Sequence, residues 1–234
     1  MTLTLIVVAV VSGALLLGAA WGLYWPLPEK LEGFLVALAG GALLLSVVSE
    51  LIRPSIETSS LLVACAGVAA GALMFAGADY LIDEKWGPNS GGGLLAAITL
   101  DGIPENLALG VALISATPTE VAALAGSILL SNLPEAAGGA RQMRGDGHSK
   151  ARTFGLWAAT AALLSAAAIA GNLLLEGAEP EHLAFIRCFA AGAVVASLAT
   201  EVFPTAFKED RHMAGIATAL GVILAIGLGS LGGV

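Results

Sequence analysis

The side chains most capable of chemistry in this sequence are carboxylates that lie inside long apolar segments. Asp101 and Glu105 are four positions apart, as are Ser131 and Glu135, so each pair lies on one face of a helix. No Lys or Arg lies deep in these segments. A carboxylate in such surroundings must be protonated, hydrated in a cavity or balanced by a bound cation. The spacing therefore indicates either a cation site or a protonated packing cluster.

A proline stands directly before Glu105, and another stands directly before Glu135. A proline within a helix removes the amide that would bond the carbonyl four residues earlier. In a membrane such carbonyls are tolerated only where they face protein or water, so we expect both prolines to line a cavity. With the side-chain amides of Asn106 and Asn132, the two segments offer carboxylate, hydroxyl and carbonyl oxygens. Of the two readings, we favour an oxygen-rich cation site.

The composition is that of a membrane protein. Of the 234 residues, 57% are hydrophobic and 12% are charged, with a mean hydropathy of +0.89, whereas soluble domains carry about 25% charged residues. These values argue against a soluble enzyme, a nucleic-acid binder and a disordered chain. The formal net charge is −8, and six acidic residues fall within or near apolar segments: Glu50, Asp79, Asp101, Glu105, Glu135 and Glu201.

Apolar segments long enough to cross a bilayer, which takes about 20 residues, recur along the whole chain. We predict eight spans, at 3–24, 33–52, 60–82, 93–116, 120–141, 153–175, 184–206 and 212–233. The fold class is therefore all-α, with one transmembrane domain over residues 1–234. Asn172 in the sixth span is expected to hydrogen-bond to another helix.

The distribution of basic residues predicts how these spans are oriented. Lys and Arg concentrate in cytoplasmic loops. With the N-terminus outside, the inward loops hold eight basic residues and the outward loops hold two. We therefore predict a plasma (inner) membrane protein with both termini outside. The polar stretch 141–152, between spans five and six, is then the main cytoplasmic loop.

The second and seventh spans share a pattern. Residues 41–50 read GALLLSVVSE and residues 192–201 read GAVVASLATE. Because an odd number of crossings separates the two spans, they run in opposite directions. Inverted repeats around proline-broken helices are typical of secondary transporters, so we predict that spans 1–3 and 6–8 repeat around spans 4–5. Glu50 and Glu201 end the matched segments, where they are either pathway or gate residues or solvated boundary residues.

The fourth and fifth spans resemble the ZIP family of divalent-metal permeases. Residues 101–106 read DGIPEN against the family pattern His-Asn-x-Pro-Glu-Gly, and residues 131–135 read SNLPE against His-[Asp/Glu]-x-Pro-[Glu/His]. The resemblance extends over nearly the whole chain, through the eight spans, the outside termini and the cytoplasmic loop. It implies inverted three-helix bundles around spans four and five, a homodimer, and elevator-like alternating access.

The resemblance also implies the metal ligands. Asp101, Glu105, Ser131 and Glu135 would form the primary site, and Gly102 and Asn132 would fall at secondary-site positions. We also predict that Asn106, like Glu50 and Glu201, is a pathway or gate residue. Both motif histidines are replaced, by Asp101 and Ser131. Since imidazole suits zinc whereas carboxylate, carbonyl and water suit harder ions such as Mn²⁺, we expect weaker selectivity for zinc than in a typical member.

These features together lead us to expect a transporter of divalent cations (Zn, Mn or Fe) that uses no ATP. The chain contains no phosphate-binding Gly-x-x-x-x-Gly-Lys motif, no HExxH and no GxSxG, so we expect neither an enzyme nor a tightly bound cofactor. The expected partners are the metal ion, the lipid bilayer and a second copy of the chain. Two alternatives stay open: a carrier of a different, proton-linked substrate on the same scaffold, and a non-transporting metal sensor.

Overall fold

The computed structural model describes residues 2–25, 28–86, 91–115 and 118–231. Across these ranges the chain forms eight long helices and no strand, which confirms the all-α prediction. They are α1 (Thr2–Tyr24), α2 (Glu29–Thr58), α3 (Leu61–Trp86), α4 (Gly91–Ser115), α5 (Pro118–Gly145), α6 (Lys150–Leu174), α7 (Pro180–Glu209) and α8 (Met213–Leu231).

Six of these helices are long and apolar enough to cross a membrane within the described residues: α1, α2, α3, α6, α7 and α8. The length and composition of these helices indicate a membrane protein. The central helices α4 and α5 are not among the six, and both contain side chains outside the described set. The spans predicted there stay predictions.

Helices α2 and α7 are longer than the predicted spans 33–52 and 184–206, and each changes its winding partway. In α2 the segment Val47–Ile52 is π-helical, and in α7 the segment Leu198–Val202 is π-helical. The predicted second span ends at residue 52, but α2 continues past Pro54 to Thr58. A proline interrupts the regular hydrogen bonding of an α-helix. Pro54 comes just after the π-helical segment, where the hydrogen bonds already differ from those of an α-helix.

The polar stretch 141–152 is mostly helical. Helix α5 ends at Gly145 and α6 begins at Lys150, so only a short turn joins them. Gly147 adopts a φ of +89° in this turn, a conformation that favours glycine. The hydroxyl of Ser149 then caps α6 by accepting a hydrogen bond from the amide of Arg152 at 3.2 Å.

Small residues let the helices approach closely in pairs. Helix α2 packs along α8, and α3 packs along α7. A Cβ added at Gly41 would overlap the carbonyl oxygen of Thr218 on α8, and one added at Gly192 would overlap that of Val68 on α3. Close backbone contact of this kind replaces the hydrophobic driving force in a membrane.

Two further pairs, α1 with α5 and α4 with α6, complete the packing. Asn172 on α6 accepts a hydrogen bond from Thr4 Oγ1 of α1 at 3.2 Å and donates one to the Gly110 carbonyl of α4 at 3.3 Å. The interhelical hydrogen bond predicted for Asn172 is therefore confirmed. These hydrogen bonds join α1, α4 and α6.

Candidate functional site

Two adjoining cavities lie between α2, α4, α5 and α7. The first, here called the small cavity, has a volume of about 10 Å³, and its polar lining comes from Glu105, Ser131, Asn132, Glu135 and Ser197. This is close to the minimum space for one water molecule. The second, here called the large cavity, has a volume of about 40 Å³. Both cavities are lined by Glu135, Ser197 and Val202.

The structure brings four of the five predicted metal ligands to the small cavity. Glu105, Ser131 and Asn132 are 5%, 2% and 4% exposed, so they are buried in the protein, and Glu135 is half-buried. Glu105 comes from α4 and the other three come from α5. The Asp101 side chain lies outside the described residues, so its place in the site stays a prediction.

The hydroxyl of Ser131 is oriented by its own helix. Ser131 Oγ donates to the carbonyl of Ile128 at 3.1 Å. Its proton is therefore engaged, while the oxygen keeps lone pairs that accept hydrogen bonds or bind a cation.

Asn132 contributes a buried polar atom whose bonding is incomplete. Among the described residues, its Nδ2 atom has no hydrogen-bond partner. A buried donor without a partner costs about 1–3 kcal/mol. A half-turn of the amide would exchange this donor for the carbonyl oxygen, which is the atom that a cation requires. Either a water molecule or a cation in the small cavity would therefore improve the bonding of Asn132.

Asn106 takes a different place from the one expected. It is 1% exposed, and its Nδ2 atom donates to the Gly102 carbonyl of the same helix at 2.9 Å. Asn106 does not line either of the two cavities. Its side chain therefore bonds the backbone of its own helix, four residues earlier.

The two matched acids of α2 and α7 also differ in their placement. Glu201 lies in the π-helical segment of α7 and lines the large cavity. Glu50 lies in the corresponding segment of α2, accepts a hydrogen bond from Ser49 Oγ at 3.0 Å, and lines neither cavity. π-Helical turns inside α-helices occur frequently at functional sites, and here only Glu201 reaches the site.

Glu32 is a cavity residue that sequence reasoning missed. The sequence places it in the loop before the predicted second span, but α2 begins at Glu29 and Glu32 is only 7% exposed. It lines the large cavity together with Gly138 and Gly139. The glycine pair that follows Glu135 by one turn was the available sequence signal, since small residues leave space for a side chain from a neighbouring helix.

The charged side chains that line the two cavities are all acidic. No Lys, Arg or His of the described chain lines either one. Equally, no three or more His, Cys, Asp or Glu side chains among the described residues lie close enough together to hold a metal ion. The described polar groups that line the small cavity are therefore two carboxylates, two serine hydroxyls and an asparagine amide.

No protein-family model matches the chain, and no curated protein matches it significantly. The resemblance to the ZIP permeases rests on the motifs at 101–106 and 131–135 and stays a prediction.

Proposed function

We propose that this protein moves divalent metal cations across the plasma membrane through the small cavity, by alternating access and without ATP. One observation carries the proposal. Glu105 and Glu135, each preceded by a proline and supplied by a different helix, line the same buried cavity of an otherwise apolar helical protein. Two carboxylates that share one cavity repel each other when both are ionised, and a divalent cation between them removes that repulsion.

The size and chemistry of the small cavity favour a metal ion over an organic solute. A volume of about 10 Å³ is close to the space that one water molecule needs. Its polar atoms are hard oxygens and an amide, and no thiol or imidazole of the described residues lines it. Such ligands suit Mn²⁺ and related hard ions better than they suit zinc.

The large cavity supports a route between the small cavity and the surface. Glu135 lines both cavities, and the lining of the large cavity also includes Glu201, Glu32 and the exposed Thr205. In the predicted orientation this end of α2, α5 and α7 faces the cytoplasm. A series of carboxylates offers a cation successive binding positions along such a route.

The matched halves of the chain support alternating access. The π-helical segments Val47–Ile52 and Leu198–Val202 occupy corresponding places in α2 and α7. The corresponding glycines Gly41 and Gly192 mark equivalent close crossings, of α2 with α8 and of α7 with α3. Both features agree with an inverted repeat around α4 and α5, the arrangement in which one unit rocks against the other. The plasma membrane, the outside termini and a homodimer belong to the same proposal.

Uptake into liposomes tests the proposal. The purified protein is reconstituted with a metal-sensitive dye inside, and Mn²⁺ or Zn²⁺ is added outside. The Glu105→Gln and Glu135→Gln variants should each lower the initial rate at least about tenfold, because a lost charged ligand costs about 1.4 kcal/mol or more. Glu57→Gln is the matched control, since Glu57 is exposed and pairs with Arg53 away from the cavities.

The outcomes separate the alternatives. Undiminished uptake by the Glu105→Gln/Glu135→Gln double variant would contradict the proposal. Metal binding without any flux in the wild type would identify a sensor. Solute uptake driven by a pH gradient, without metal binding, would identify a proton-linked carrier.

A further inference from the structure

The carboxylate of Glu32 is buried in the lining of the large cavity. Glu32 is 7% exposed, although it lies near the start of α2. Its Oε1 atom occupies the space where a Cβ at residue 138 would stand, so Gly138 leaves room for it. This carboxylate is therefore held between α2 and α5 and does not extend into solvent.

Arg141 neutralises Glu32 from the side of α5. Its Nη2 atom lies 2.7 Å from Oε2 of Glu32, and its Nη1 atom lies 4.0 Å from the exposed Glu29. The Oε2 atom of Glu32 is buried and yet accepts no aligned hydrogen bond from the described residues. The contact with Arg141 is thus an attraction of charges at short distance, without the directed bonding that gives an arginine–carboxylate pair its full strength.

We propose that Glu32 is a second cation-binding position of the transport route, and that Arg141 is a tethered counter-cation that occupies this position until a metal ion arrives. This inference rests on the proposed function. The Glu32 carboxylate lines the same cavity as Glu135 and Glu201, so a divalent cation that enters this cavity can reach it. Arg141 is half-exposed, so its guanidinium moves into solvent when the metal ion replaces it.

The exchange explains why a basic residue stands beside an acidic route. Without a counter-cation, a buried Glu32 carboxylate would carry a large desolvation penalty. With a counter-cation bound permanently, the position would repel the transported ion. A partly exposed arginine in a poorly aligned contact satisfies both requirements, because it neutralises the empty position and yields it to a divalent ion.

The test compares Glu32→Gln, Arg141→Gln and the double variant in the liposome assay and in Mn²⁺ titrations of the detergent-solubilised protein. Glu32→Gln should lower Mn²⁺ flux about tenfold and remove the weaker of two binding events. Arg141→Gln should instead tighten that weaker event about fivefold, since its competitor is gone. Lys30→Gln and Arg144→Gln, on exposed positions of the same helices, should leave both measurements within about twofold.

The double variant distinguishes this proposal from a purely structural ion pair, and it leaves no unpaired buried charge that would prevent folding. If Glu32 binds the cation, Glu32→Gln/Arg141→Gln keeps the low flux of Glu32→Gln. If the pair only stabilises the fold, the double variant regains wild-type flux, and the proposal is overturned. Wild-type flux that depends on Glu105 but not on Glu32 also overturns it while leaving the proposed function intact. A wild type without cation flux refutes the proposed function itself.

Discussion

Glu135 of α5 and Glu201 of α7 line one cavity, although 66 positions separate them in the chain. Glu135 follows the proline of a central helix, and Glu201 lies in the π-helical segment of an outer helix. This pair therefore connects the small cavity, which Glu135 also lines, with the predicted repeat, to which Glu201 belongs. In the proposed function, a movement of α7 relative to α5 would change the distance between the two carboxylates and so couple cation binding to helix motion.

The first prediction concerns the matched acids of α2 and α7. Glu201→Gln should lower Mn²⁺ flux in liposomes about tenfold, because it removes a charge from the cavity wall. Glu50→Gln is the matched control and should change the flux less than about twofold, since Glu50 lines neither cavity. Equal losses in the two variants would show that lining the large cavity does not determine the effect, which would contradict this prediction.

The second prediction separates two corresponding serines. Ser46 Oγ lies 2.7 Å from Ser127 Oγ and joins α2 to α5, whereas Ser197 lines both cavities. Ser46→Ala should lower the stability by about 1 kcal/mol, seen as a lower thermal midpoint in detergent, with little effect on Mn²⁺ affinity. Ser197→Ala should weaken Mn²⁺ binding with little effect on the midpoint. If Ser46→Ala instead weakens Mn²⁺ binding and Ser197→Ala lowers the thermal midpoint, this prediction is contradicted.

A third prediction tests the close helix crossings. Gly41→Ala and Gly192→Ala should each destabilise the protein by about 1–3 kcal/mol. The new methyl group would overlap a backbone carbonyl of the neighbouring helix, and the two helices would have to move apart to make room for it. Gly77→Ala is the matched control on α3, where a Cβ meets nothing within 4 Å. Thermal unfolding in detergent provides the measurement. Midpoints that fall equally in all three variants would argue against backbone contact as the source of stability.

A fourth prediction uses the incomplete bonding of Asn132. Asn132→Asp adds a third carboxylate to the small cavity and should tighten Mn²⁺ binding about tenfold. Asn106→Asp is the control, because Asn106 donates to the Gly102 carbonyl and a carboxylate would lose that bond. It should destabilise the protein without tightening Mn²⁺ binding. If both variants bind Mn²⁺ equally well, the ion binds elsewhere.

The sequence carried enough information to predict the helices and much of the site. Runs of about 20 apolar residues predict spans because lipid requires every backbone group to be bonded within its own segment. The four-residue spacing of Ser131 and Glu135 predicts one helix face, and both side chains line the small cavity. Local periodicity was sufficient in both cases.

The remaining features depend on contacts between distant segments. The burial of Glu32 follows from the space that Gly138 leaves on another helix, which no local pattern encodes. The residues of the π-helical segments of α2 and α7 show no pattern that distinguishes them from an α-helix. The predicted second span therefore ends near Pro54, whereas α2 continues to Thr58.

The central claim is that Glu105 and Glu135 bind one divalent cation between them. Anomalous scattering from crystals grown with Mn²⁺ tests it most directly. We predict one anomalous peak in the small cavity, about 2.0–2.6 Å from carboxylate oxygens of both residues, the range for hard divalent cations. Bound Mn²⁺ at other positions, with no peak between Glu105 and Glu135, would contradict the account.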